Sequence, residues 1–458
     1  MAETGASRAA AHMRDRLAWL DQLAFKLFTA TGRNQLMQCL WLYEREVDMA
    51  SLLRVSARLS SWSFNRLIEP SPLPPARPHW VRPASLPEPL HISPDVLSRE
   101  HLLRWANRQA RRPLHPVAGP AWRMDMQRFA DGSTAVSIVG SHLIIDGMGA
   151  LGAISAAASG KALPSSYLPQ NGRGRLSGLM SDAQQILADA PRTLAAIARI
   201  ARLAWANRHG AAARAVPDGP DPATMVDIPA IAISIGVRAW ESCAERLGGR
   251  ASTLLPGFVA RLAAHMGHCR VSDATVNLIV PIDRRHGLND ERALAIEFAS
   301  MRLHPEGLAT DLGPVSAPMR ALLRAAKKTG PDPLAELLPA IAWLPASAAT
   351  ALVNRIFAYG DAPPVSCSNL GELPDALASI DGSPCTRLLA RAVDVNVSLR
   401  DLQRSHGHLV VVASRYRDTV SLCIEACQLA PEPTTTEHLR RMTIKTLADF
   451  GLDATIED

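Results

Sequence analysis

The stretch Thr134–Leu151, TAVSIVGSHLIIDGMGAL, restricts what this chain can fold into more than any other. Small and β-branched residues read as a buried strand, which runs straight into His142, Asp146 and Gly147. An imidazole at the end of a buried strand is costly unless its surroundings satisfy it, so the fold has to orient that ring. From Gly147 to Ala158 the pattern becomes helical. The His/Asp pair therefore lies on a strand-to-helix connection.

The 458 residues exceed one ordinary core and predict two or three domains. With 47% hydrophobic and 20% charged residues the balance is globular. The net charge of +6 is mildly basic, but no Lys/Arg block and no RNA-binding aromatic motif accompanies it, so no nucleic-acid partner is expected. The seven cysteines are scattered, without a CxxC pair, and read as reduced structural thiols of a cytoplasmic protein. The N-terminus has no apolar signal region, and no run reaches the roughly 18 apolar residues of a spanning helix. Leu337 to Val353, interrupted by Pro339 and Pro345, reads as a broken buried helix.

Taken in order, the pattern predicts a helix over Arg14–Phe28, a strand over Gln38–Glu46, and a helix to Leu59 capped by Asp48. Pro70–Pro89 reads as an extended loop and Ser98–Arg111 as a helix. Ala121–Phe129 and Thr134–Ser141 read as paired strands. A long helical stretch covers Leu176 to His209, broken near Pro191. It sets Leu194, Ile197, Ile200, Leu203 and Trp205 against Arg192, Arg199, Arg202 and Arg208. This pattern suits a helix packed on a domain with a solvated basic face, or a contact with a membrane surface. Ala211–Pro222 reads as a loop. The second half alternates again, with strands near 230–237, 274–281, 365–368, 409–414 and 419–426 and helices near 238–247, 252–266, 314–327 and 435–450.

The chemistry legible here is that of a general base. There is no GxSxG elbow, no Gly-rich phosphate loop and no Cys or Ser nucleophile motif, so His142 would take a proton from a hydroxyl or amine attacking an activated acyl carbon. Asp146 would hold the loop in shape through an arginine, and Gly147 would permit a backbone path that a Cβ obstructs. His265, His268 and Cys269 form one cluster, and His406 and His408 flank Gly407. Neither cluster is followed by a third and fourth ligand at metal spacing, so both read as structural or solvated and no metal is expected.

The His-x-x-x-Asp-Gly signature resembles that of the acyl-CoA-dependent acyltransferase superfamily, which includes chloramphenicol acetyltransferase and the condensation domains of peptide synthetases. The closer likeness is to the bacterial wax ester synthase/diacylglycerol acyltransferase family. It rests on Leu20-Asp21, Arg112-Pro113-Leu114 with Gly119-Pro120-Ala121-Trp122, Val280-Pro281-Ile282-Asp283-Arg284-Arg285, and Ser368-Asn369-Leu370-Gly371, in that family's order. The chain departs from it at Ser141, where a first histidine would stand. It departs again at Thr253-Leu254-Leu255 and near Glu297-Phe298, where Asn-Asp and Gly-Asn pairs would stand.

The resemblance implies an α/β (α+β) fold of two chloramphenicol-acetyltransferase-like subdomains, each a mixed sheet flanked by helices, with a tunnel between them. The expected divisions are 1–165, a helical linker over 166–225, and 226–458. His142 would be the catalytic base, with Asp146 and Gly147 shaping its loop and Ser141 and Arg285 in support. Ser368 and Asn369 would face the acyl-CoA, and Asn369 and backbone amides near Gly147 would be oxyanion donors. The implied reaction is O-acyl transfer from acyl-CoA, a co-substrate rather than a resident cofactor, to a hydrophobic or lipid-like alcohol. Contact with a membrane or lipid-droplet surface is expected with it, and the protein would be cytoplasmic or peripheral at the inner membrane surface. The alternatives are condensation-type acyl or amide transfer from a carrier protein, and a non-catalytic acyl- or lipid-binding protein of the same fold.

Overall fold

A computed structural model of the protein describes residues 15–458 except 63, 87, 163–164, 207–223, 328–334, 342, 346, 350–364, 406 and 430–433. The expected loop Ala211–Pro222, His406 and most of the segment from Pro345 to Val353 lie outside the described residues. In the first half the strands are β1 (Asn34–Tyr43), β2 (Leu67–Glu69), β3 (His79–Val81), β4 (His91–Leu97), β5 (Trp122–Phe129) and β6 (Thr134–Ser141). Then come β7 (Met225–Val226), β8 (Ala230–Gly236), β9 (Val276–Asp283), β10 (Ile296–Leu303) and β11 (Val365–Glu372). The last are β12 (Arg387–Val395), β13 (Val397–Ser398), β14 (His408–Tyr416), β15 (Thr419–Cys427) and β16 (Thr455–Glu457).

Two mixed sheets flanked by helices carry the fold. One has five strands in the order β12-β1-β6-β5-β4, the other seven in the order β10-β9-β11-β14-β15-β8-β16. Each packs its own apolar cluster. The first gathers Trp41, Trp80, Trp122 and Ile138; the second gathers Ile233, Phe258, Val411 and Phe450. At about 25 cal/mol per Å² of apolar surface removed from water, such clusters are the main favourable term holding each sheet to its helices.

The sheets do not follow the order of the chain. Strand β12 comes from the last quarter of the sequence, yet it pairs antiparallel with β1 along its whole length, Asn34 opposite Val395 and Gln35 opposite Asp394. On its other edge β1 pairs antiparallel with β6, Leu36 opposite Ser141. This central strand starts at Asn34, four residues before the position its pattern predicts. Strands β10 and β12 carry no strand signal that the pattern reading picked up. RLLARAVDV is rich in residues that favour helices, and its burial in a sheet overrides that preference.

Local signals hold where the causes are local. Asp48 caps the helix Met49–Ser60, its carboxylate accepting from Ala50 N and Ser51 N, and Thr435 caps Thr436–Phe450. The helix Gly147–Ala158 forms as the pattern predicts. By contrast, the long helix Arg175–Ala206 runs through Pro191 without breaking. Proline removes one backbone donor, and the rest of the ladder carries the helix past it. Its apolar set is also not all inward. Leu194, Ile197 and Trp205 are exposed, as are Leu176, Met180 and Leu187.

The reason lies on the opposite face of that helix, where the contact with the first body is polar. Asp182 accepts from Arg16, Arg173, Ser71 and His79, and Asp189 pairs with Arg77. No described helix is long and apolar enough to cross a membrane. All seven cysteines are free and six are buried.

Candidate active site

Strand β6 is buried along its length and delivers His142 to a tight turn before the helix Gly147–Ala158. His142 N donates to Gln35 O of β1 at 2.8 Å, and Ile144 N closes the turn on Ser141 O at 3.0 Å. Ser141 is fully buried. Its hydroxyl donates to Asn34 Oδ1 at 2.9 Å and accepts from Leu143 N at 3.3 Å. The residue standing for a first histidine is thus a structural tie between β1 and the turn. Leu143, Ile144 and Ile145 are buried, whereas His142 is half-buried.

Burial lowers the His142 pKa below its ordinary value near 6.5. The charge of Asp146, the residue's own backbone carbonyl and the charge of Asp394 oppose this in part, and Arg285 reinforces it. The ring is therefore neutral at pH 7 and able to accept a proton.

Asp146 turns to other partners. Its Oδ1 accepts from Gly149 N at 2.7 Å, which caps the helix, and from Arg285 Nε at 3.2 Å. Its Oδ2 accepts from Arg285 Nη2 at 2.6 Å and from Ala295 N at 2.8 Å. Arg285 spends its remaining hydrogens on the carbonyls of Asp290, Arg292 and Ala293. Both side chains are nearly closed to solvent, at 9% exposure for Arg285 and 1% for Asp146. The loop after β9 is thereby locked onto the turn that carries His142.

Three details of this joint were not read from the sequence. Asp21 is buried and accepts from Ala293 N and Leu294 N at 3.0 and 2.8 Å, fixing the far side of the same loop. Burial raises its carboxyl to about 6 against those donors. Arg66 reaches Ile144 O from two nitrogens and Glu291 O from a third, with its guanidinium stacked 3.7 Å from the Trp80 ring centroid. Gly149 is the third, since a Cβ there would lie 2.8 Å from Ile145 Cγ1 and 2.9 Å from Arg285 Cζ. The expected demand at Gly147 takes a different form. Its backbone is not in the left-handed region; a Cβ would meet Met37 Cε at 3.1 Å and Leu370 Cδ2 at 3.3 Å. Close approach, not an unusual dihedral, favours glycine there.

Ser368 and Asn369 lie on β11, which runs parallel to β14 until a bulge after Asn369. Asn369 Oδ1 accepts from Gly371 N at 2.9 Å, and Gly371 takes a φ of 69°, so the Ser-Asn-Leu-Gly run forms the bulge within the strand. Asn369 is exposed, and its amide nitrogen keeps no partner among the described residues. Leu370 carries the bulge onto the first apolar cluster and against Gly147. Neither Ser368 nor Asn369 hydrogen-bonds the His142 ring. Gly149 N, one of the backbone amides near Gly147, is occupied by Asp146.

Against known proteins, no family model and no curated protein matches the chain. Solved structures do. The first condensation domain of the CDA synthetase superposes with a TM-score of 0.59 at 14% identity, covering 95% of this chain and 94% of that one. The starter condensation domain of rhizomide synthetase, in a variant complexed with C8-CoA, gives a TM-score of 0.53 at 14% identity over 98% of both chains. The chain shares the two-subdomain fold of condensation domains. Identities this low carry the fold alone, and activity has to be argued from the site.

Proposed function

We propose that the protein is an acyltransferase of the condensation type, moving an acyl group from a thioester to an amine or hydroxyl with His142 as general base. The observation that carries this is a half-buried imidazole at the end of β6, tied by its backbone to β1 and with its pKa lowered by burial, beside an aspartate engaged by Arg285 and backbone amides. The acceptor's nitrogen or oxygen attacks the thioester carbonyl carbon while its proton passes to the His142 ring. The carbon–sulfur bond then breaks, and the proton leaves His142 for the departing thiolate. The exposed amide of Asn369 is the proposed donor to the transient oxyanion.

Among donors, acyl-CoA is supported by the structural neighbour whose complex contains C8-CoA. A carrier-bound thioester is supported by the condensation-domain neighbours as a group. The resemblance to wax ester synthases supports a hydrophobic alcohol as the second acceptor class. For that class, the exposed row Leu176, Met180, Leu187 and Leu194, with the exposed Arg202 flanking it on the helix, is the proposed face toward a lipid surface.

A thiol-release assay tests the proposal. The full chain is supplied with acyl-CoA or an acyl-loaded carrier protein, each against amine and long-chain alcohol acceptors. Acceptor-dependent thiol release that disappears in His142→Ala supports it. Acyl-thioester binding without release, or release unchanged in that variant, overturns it in favour of a non-catalytic acyl-binding protein or a different base.

A further inference from the structure

Three residues on neighbouring strands stand in one row across the first sheet, and only one of them enters the proposed reaction. Strand β1 holds Gln35 opposite Asp394 of β12, and on its other edge the pairing with β6 ends at Leu36 opposite Ser141. His142 takes the next position, its backbone N donating to Gln35 O at 2.8 Å. Directly opposed residues send their side chains to the same face of a sheet. With strands about 4.8 Å apart, the Asp394 backbone lies about 10 Å from that of His142. We propose that Asp394 is a positioning residue for His142, its carboxylate charge stabilising the imidazolium formed when the ring takes the acceptor's proton. The role rests on the general-base reading above.

The carboxylate is ionised and held in direction. Burial pushes its pKa up, yet Arg33, His408 and the hydrogen bonds from Arg33 and Gln35 keep it below its ordinary value. Arg33 Nε and Nη2 donate to its two oxygens at 3.2 and 3.0 Å, and Gln35 Nε2 reaches Oδ2 at 3.5 Å. Arg33 Nη2 also donates to His408 Nδ1 at 3.4 Å, which places the ring proton on Nε2. That nitrogen faces Asp394 Oδ2 at 3.4 Å and Glu425 Oε2 at 3.8 Å. Gln35 is the link, since its backbone oxygen holds the His142 turn while its side chain reaches Asp394.

The charges that act on the His142 ring are Asp146 and Asp394, which favour its protonated form, and Arg285, which opposes it. Asp146 and Arg285 stand 2.6 Å apart, both nearly closed to solvent, so their fields at the ring largely cancel. The pair at Asp394 is lopsided. The Asp394 side chain is 1% exposed and that of Arg33 32%, so water screens the cation more than the anion. A net negative field remains at the ring, and it favours the charged form through which His142 passes. Farther out, burial raises the Glu425 carboxyl, with Arg391 opposing, and burial followed by His408 pushes His268 down to about 4.

The test reads the ring itself. In the full chain carrying ¹³C-labelled histidine, the His142 signal is identified by its loss in His142→Ala and followed through an acid titration, beside the pH profile of kcat/KM for thiol release. Asp394→Asn should lower the pKa of the ring by about half a pH unit or more and move the acid limb of kcat/KM with it. Its kcat should fall about twofold or more with KM little changed. Arg33→Gln/Asp394→Asn removes both charges together and should keep the downward direction, which also serves if the single variant does not fold. Asp394→Glu should restore most of the wild-type value, and Glu425→Gln should leave the ring unmoved. Far-UV circular dichroism shows which variants are folded. An unchanged ring in folded Asp394→Asn, a fall that vanishes in the double variant, or an equal fall in Glu425→Gln overturns the inference. A wild-type chain that releases no thiol while its ring responds as expected overturns the acyl-transfer reading and leaves the electrostatic link standing.

Discussion

Arg285 Nη2 stands 2.6 Å from Asp146 Oδ2, and this pair joins the loop after β9 to the helix start behind His142. Each partner is nearly closed to solvent and carries further hydrogen bonds to the backbone, so neither can lose the other cheaply. Removing one side of such a pair costs about 3–5 kcal/mol. Arg285→Ala should lower the urea midpoint accordingly, and Arg285→Lys should recover only part of it, since lysine cannot place two donors on one carboxylate. Equilibrium unfolding of the three proteins checks this. A midpoint within error of wild type for Arg285→Ala would refute the structural role.

The two glycines of Asp-Gly-Met-Gly should separate in effect. Gly149→Ala drives a methyl into Ile145 and the Arg285 guanidinium at under 3 Å, and should cost about 1–3 kcal/mol. Gly147→Ala meets the movable end of Met37 and should cost less. Paired thermal melts decide the order, and a reversed order contradicts the packing described for this turn.

His142 sets the expected pH dependence. Its pKa is lowered by burial, so the neutral, base-competent form dominates at pH 7. The value of kcat/KM should be flat near neutrality and fall with acid only below pH 6.5, through the depressed pKa of the free enzyme. His142→Ala should lose about 10²-fold or more in turnover with an unchanged melting curve. A profile that falls between pH 8 and 7 would show that another group titrates.

Asp182 anchors the long helix. Burial would raise its carboxyl, but hydrogen bonds from Ser71, Arg173 and His79 outweigh that and hold it at about 2 against an ordinary 3.8. A depressed carboxylate adds stability above the unfolded pKa, and that contribution disappears as pH falls from about 4 through about 2. Wild-type stability should therefore drop across that window, and Asp182→Asn should flatten the drop while lowering stability at pH 7. Melting temperatures of both proteins from pH 7 to pH 2 test this. Parallel curves would remove Asp182 from the account.

Much of the candidate site was legible. The strand, the histidine turn and the helix after it follow from residues within a few positions of one another. In the structure the partner of Asp146 is Arg285. Two readings gained a different physical content: Ser141 turned out to tie the turn to Asn34, and Gly147 yields to close packing rather than to a special dihedral. Strand β12 was not visible because its composition favours helix, and only its place beside β1 makes it a strand.

The sequence by itself determined the local pieces: Asp48 as a cap, the final helix from Thr435, the paired strands β5 and β6, and His142 four residues before Asp146 on a strand-to-helix connection. Backbone preferences and short-range hydrogen bonds are enough for these. Tertiary structure alone decided what those pieces meet. Arg285 reaches Asp146 from 139 positions away, and β12 enters the first sheet from the last quarter of the chain. Glu425 comes to His408 from the neighbouring strand β15 and Asp394 from β12 across the sheet junction, with Arg33 beside them. Such meetings depend on which strands pair and how two sheets pack, and burial then decides which side chains must find partners.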